Sequence, residues 1–140
     1  MLELPPLPEQ DEAPTSKRPR RPWSQKFRDA LRGLKLGIRG HSSFFVHFFA
    51  TALVVAAAVA LECDWTQWCF LLLCIGVVLT AELFNSALET LHRGLDTETR
   101  DRTWKALDIA AGAVLMASAT AALVGGLIFG KHLLELLGWL

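Results

Sequence analysis

The sequence predicts an all-α, polytopic membrane protein: an N-terminal amphipathic surface helix followed by three transmembrane helices. Three observations carry that expectation. Hydrophobic residues make up 52% of the 140 and gather into runs long enough to cross a bilayer. Residues 17–39 hold nine of the fourteen Lys and Arg against one acid, Asp29, a juxtamembrane basic zone. The segment between the first two apolar runs has no Lys or Arg, whereas Arg93, Arg100, Arg102 and Lys105 follow the second.

Residues 1–22 contain all six prolines, with acids (Glu3, Glu9, Asp11, Glu12) ahead of bases (Lys17, Arg18, Arg20, Arg21). So little apolar material cannot build a core, and a disordered tail is expected. Residues 23–140 then form one membrane domain, with no length left for a separate soluble catalytic module. In 23–39, Trp23, Phe27, Leu31, Leu34 and Ile38 recur at helical spacing, and Lys26, Arg28, Arg32, Lys35 and Arg39 mostly take the other sides. That is a basic amphipathic helix lying in the membrane surface.

The first span is expected over about 42–61, uncharged apart from the titratable His47. Glu62 to Trp68 reads as a short polar turn with Trp65 and Trp68 as interfacial anchors. A second span is expected over about 66–93, a charged loop over 94–104, and a third span over about 105–130. Ala113, Ala117, Ala121 and Gly125 stand at four-residue spacing on that last helix. Such a stripe lets helices approach closely, within the chain or between copies. The distribution of Lys and Arg places the N-terminus in the cytoplasm and the C-terminus outside, in a cell (inner) membrane. No cleavable signal peptide is expected, because the first apolar run begins only after residue 41. Cys63, Cys69 and Cys74 form no CxxC pair, which argues against a zinc site and leaves a Cys63–Cys69 disulfide open.

The second span is interrupted by Glu82, Asn85, Ser86 and Glu89. Helical residues turn by about 100° each, so offsets of three and seven return to one face. Glu82, Asn85 and Glu89 therefore share a face. Carboxylates in or beside a bilayer are costly and mark function by default. One carboxylate in apolar surroundings can take a proton from a hydroxyl. Another can hold Mg2+, a hard cation that bridges nucleotide phosphates. Asn85 offers an amide, Asp108 an acid from the next helix, and Lys105 a phosphate contact. These are parts for phosphoryl transfer, which needs mainly positioning and charge stabilisation. No GxxxxGK[ST] loop is present, so a nucleotide site must be built from helix faces and the 94–104 segment. Interhelical hydrogen bonding and an ion pathway are the competing readings of the same residues. Ser86 reads as a small packing residue, and His41 and His47 as lone histidines near a helix start.

From about Trp23 to Gly130 the chain resembles the small prokaryotic diacylglycerol kinases, a family that includes the undecaprenol kinases. Glu82-Leu-Phe-Asn85-Ser86-Ala87-Leu-Glu89 is similar to the family signature E-x-x-N-[ST]-A-[IL]-E, and Lys105-Ala-Leu-Asp108-Ile-Ala-Ala-Gly112 gives a second match. The resemblance implies transfer of the γ-phosphoryl group of ATP, with Mg2+, to the primary hydroxyl of a membrane lipid, by a homotrimer with shared active sites. It implies Glu82 as general base and Glu89 as metal ligand. It also implies Asn85 and Asp108 lining the nucleotide site, with Glu98 in the ATP-contacting loop. His41 stands where the family has a second metal-binding Glu, Leu107 where it has a Lys, and Arg93 where it has an Asp. His41 is then the substitute metal ligand and Lys105 the substitute lysine. The expected activity is conversion of diacylglycerol to phosphatidic acid, or phosphorylation of undecaprenol. The alternative is a non-catalytic, degenerate member acting in membrane assembly or regulation. A membrane lipid, ATP and further copies of the chain are the expected partners; nucleic acid is not.

Overall fold

The computed structural model describes residues 22–40 and 43–139, and the expected tail (1–22) falls outside them except for Pro22. Those residues form four helices: α1 (Trp23–Gly40), α2 (Ser43–Ala60), α3 (Trp65–Arg93) and α4 (Thr97–Leu136). The last three are long and apolar enough to cross a membrane. In hydrocarbon every backbone N–H and C=O must be satisfied internally, which favours helix for such runs.

Local chemistry fixes the boundaries. Asp64 caps α3 through a reciprocal pair: its Oδ1 accepts from the Gln67 N–H at 3.0 Å, and Gln67 Oε1 accepts from the Asp64 N–H at 2.8 Å. The turn before it takes Glu62 through a positive φ of 50°. Asp96 caps α4, its Oδ1 accepting from the Thr99 N–H at 3.1 Å and its Oδ2 from the Thr99 hydroxyl at 2.7 Å. That cap overturns the expected 94–104 loop: the connection is only residues 94–96, and 97–104 are the first turns of α4. The many charges there suggested a loop, but they decorate a solvated helix. The Cys63, Cys69 and Cys74 thiols are all free, so no disulfide closes the α2–α3 turn. Burial, then the adjacent Asp64 carboxylate, push the Cys63 thiol up from its ordinary value.

At about 1.5 Å per residue, the 40-residue α4 is about 60 Å long, twice the hydrocarbon thickness of about 30 Å. Its charged first turns therefore stand clear of the apolar layer. The short connection folds α3 and α4 into an antiparallel pair, the most extensive packing among the described helices. His92 Nδ1 meets Thr103 Oγ1 at 3.2 Å near the connection, and His132 Nε2 meets Gln67 Oε1 at 3.1 Å at the far end. Arg100 binds the terminal carbonyls of α3, at His92 (3.3 Å) and Arg93, where a cation suits the helix dipole. Helix α2 lies along α3 with Phe44 and Ala58 buried. Helix α1 meets α3 at Gly37, where a Cβ would fall 2.7 Å from Leu83 Cδ2. Leu83 immediately follows Glu82, so this close approach brings the surface helix to the polar cluster.

Candidate functional site

The buried polar side chains among the described residues are Glu82, Asn85 and Ser86, all on α3. Their burial follows from register: the side of α3 that carries them turns toward the neighbouring helices α1, α2 and α4. The face then divides. Asn85 and Glu89 turn toward α4 and Glu82 toward α2.

On the α4 side, a cavity of ≈ 360 Å³ is lined by Asn85, Glu89, His92, Arg93, Leu107, Asp108 and Ala111. That volume lies at the lower end of the roughly 300–1,000 Å³ of ligand pockets. Asn85 Nδ2 donates to Glu89 Oε1 at 3.0 Å, and Arg93 Nη2 donates to Glu89 Oε2 at 3.0 Å. The amide nitrogen thus directs one of its two N–H groups at Glu89, and the carbonyl oxygen is the amide's acceptor for a ligand. Asp108 adds a second carboxylate from α4. Two carboxylates and an amide oxygen are hard donors suited to Mg2+, which takes one or two protein carboxylates and completes its shell with water and phosphate oxygens. Arg93 supplies a fork of donors matched to phosphate.

On the α2 side, Glu82 is 2% exposed. Its Oε2 lies 3.7 Å from His47 Nε2, and its Oε1 has no hydrogen-bond partner. One turn along, the buried Ser86 Oγ is also without one. Ser86 lines a third region, a groove of ≈ 960 Å³ between α1 and α3 whose walls include Gly33, Gly37, Leu83, Phe84 and Ala87. The groove is mostly apolar, with Thr80, Ser86, Thr90 and Arg93 at its polar positions.

The candidates read from the sequence thus separate. Asn85, Glu89 and Asp108 come together round one cavity. Glu82 shares their helix but sits seven residues from Glu89, about 10 Å of helical rise. Lys105 is exposed and not on the cavity; its Nζ lies 5.7 Å from the centroid of its own Trp104 ring. The helical offset of three from Asp108 suggested a common face, but Asp108 lines the cavity between α3 and α4 and Lys105 does not. Glu98 is also away from the cavity, paired with Arg102 at 2.6 Å along the first turns of α4. His41 lies outside the described residues. Two neighbours were missed as site members. Arg93 read only as a departure from the family pattern, yet its i, i+4 offset from Glu89 is an ion-pair signal. His47 read as a lone histidine, yet it is the one titratable side chain in the apolar run of α2.

The sequence matches the family model for prokaryotic diacylglycerol kinase over residues 28–129. It is 33% identical over 112 residues to a diacylglycerol kinase of Synechocystis sp., covering 79% of this chain and 64% of that protein. The chain thus spans just under two thirds of that relative's length. It is 29% identical over 105 residues to an undecaprenol kinase of Bacillus subtilis, covering 75% of this chain and 85% of that one. No solved structure matches it. A helical chain with three membrane-length helices, a buried acid on the second of them and a family match across most of its length leads to one conclusion: the chain belongs to the prokaryotic diacylglycerol kinase family.

Proposed function

We propose that the protein phosphorylates the primary hydroxyl of a membrane lipid alcohol, diacylglycerol or undecaprenol, with ATP as donor. The observation that carries this reading is Glu82, an acid sealed between apolar helices with one carboxylate oxygen unpartnered, on the same helix as the oxygen-lined cavity. A buried acid that served only as interhelical glue would have both oxygens engaged.

Glu89 and Asp108, with the Asn85 carbonyl, would hold Mg2+. When bound, the ion neutralises charge on the phosphates and fixes their orientation. Arg93 binds phosphate oxygens from the rim. The lipid alcohol comes laterally through the groove between α1 and α3, whose apolar wall suits its chain. Ser86, on the groove wall, is the polar side chain that the lipid hydroxyl meets first, and Glu82, one turn away on α3, is the proposed base. Glu82 takes the hydroxyl proton as the lipid oxygen bonds to the γ-phosphorus. The bond from that phosphorus to the bridging oxygen breaks, and ADP leaves with that electron pair. The reaction belongs at the inner membrane with the N-terminus and the 94–96 connection in the cytoplasm, where ATP is available, and the C-terminus outside. A homotrimer would supply cover for the exposed helix faces.

A non-catalytic role has one specific observation behind it: the Arg93 guanidinium already engages Glu89, the proposed metal ligand. Purified protein in mixed micelles, given Mg2+ and ATP with short-chain diacylglycerol and undecaprenol in parallel, decides between the two. A phosphorylated product from either alcohol supports the kinase and identifies its acceptor. No product from either, with the protein folded, leaves the non-catalytic role.

A further inference from the structure

We infer that His47 is a positioning residue for Glu82: its imidazole engages Oε2 and so aims Oε1 at the acceptor hydroxyl. This deepens the kinase reading and rests on Glu82 acting as the base. A glutamate carboxyl sits at the end of a flexible side chain. Its terminal torsion is broad, so a carboxylate with nothing to hold it sweeps a range of directions. A general base must instead present one oxygen within hydrogen-bond reach of the proton it removes. Bases are commonly held in place by a third group, as an imidazole is by a carboxylate.

Here the polarity of that arrangement is reversed. His47 stands one turn into α2, and its Nε2 lies 3.7 Å from Glu82 Oε2, a close approach longer than a direct hydrogen bond. The two side chains are 18% and 3% exposed, so both are largely withdrawn from solvent. The backbone around His47 is anchored in turn, because the Thr51 hydroxyl donates to the His47 carbonyl at 2.8 Å. The two Glu82 oxygens are therefore unlike: Oε2 faces the imidazole, and Oε1 is buried without a partner. Such an asymmetry is what an aimed base requires. A helix-linking glutamate would gain nothing from it, since a buried oxygen left without a partner is destabilising.

The test compares His47→Leu with His47→Gln in the full-length protein. Leucine fills a similar volume with no donor, whereas the glutamine amide nitrogen can stand close to where Nε2 stood. The expected result is a kcat about 10- to 100-fold lower for His47→Leu, with the KM for ATP unchanged and most of kcat restored in His47→Gln. Thermal midpoints of both variants accompany the kinetics, since a packing role would lower the midpoint and leave the kcat of folded protein intact. Equal kcat in the two variants, whether both high or both low, overturns the inference. Glu82→Gln runs alongside. If it is inactive while the two His47 variants match, only the positioning role fails. If it remains active, the assignment of Glu82 as base fails and the inference falls with it.

Discussion

Glu89 receives two donors at once, the Asn85 amide on one oxygen and the Arg93 guanidinium on the other. The pairing holds the carboxylate at the cavity wall and keeps a cation beside the place proposed for phosphate. Mg2+–ATP, binding only the folded protein, should raise its thermal midpoint, by about 2.7 kcal/mol of stability at a hundredfold excess over Kd. Glu89→Gln should abolish that rise while still folding, since the amide keeps the shape and one acceptor. A midpoint that rises equally in wild type and Glu89→Gln would remove Glu89 from the nucleotide site. At this scale the sequence was informative about residue types and less so about partners. Helical spacing was enough to put Asn85 and Glu89 on one face, and Asp108 was legible as their neighbour from the next helix. Spacing alone could not reveal that Glu82 turns to α2 or that Lys105 turns outward, because both depend on how the helices rotate against one another.

The helices themselves were nearly all legible, because length, apolar content and charge placement bear on each one separately. The first turns of α4 were the exception. Residues 97–104 carry many charges, and composition favoured a loop. What decides the matter is Asp96, whose carboxylate satisfies the free N–H at the start of the helix. The Thr99 side-chain hydroxyl, then its backbone N–H, hold the Asp96 carboxyl below its ordinary value. A depressed acid stabilises the fold above its unfolded pKa of about 3.9 and loses that contribution as pH falls through the folded value. Asp96→Ala should therefore melt below wild type at neutral pH, and the gap should close as pH drops below about 4. Hydrogen exchange at 97–100 should quicken in the same variant. A gap that persists at low pH would show that the cap acts without its charge.

On the scale of the whole molecule, the chain leaves much of its apolar surface uncovered. Phe45, Phe49, Leu115, Met116, Leu123 and Leu127 are all exposed on helices long enough to span a bilayer. Lipid covers such surface as readily as another protein does, so exposure says little about assembly. The small-residue stripe of α4 is more informative. Gly125 is buried and Ala117 and Ala121 are half-buried, so part of the stripe serves packing within the chain. Ala113 is exposed, on the stretch that faces Phe84 and Leu88 of α3 across an apolar cavity. The reading as a lipid kinase ties these scales together: a buried acid on α3, oxygen ligands between α3 and α4, and an apolar groove under α1. Its most direct test is transfer of the γ-phosphate of labelled ATP to a lipid alcohol by wild type, Glu82→Gln and Asp108→Asn, each with its thermal midpoint. The account predicts labelled lipid from wild type and a loss of about 100-fold or more in both variants at unchanged stability. Labelled lipid at wild-type rates from both variants, or none from folded wild type, would contradict it.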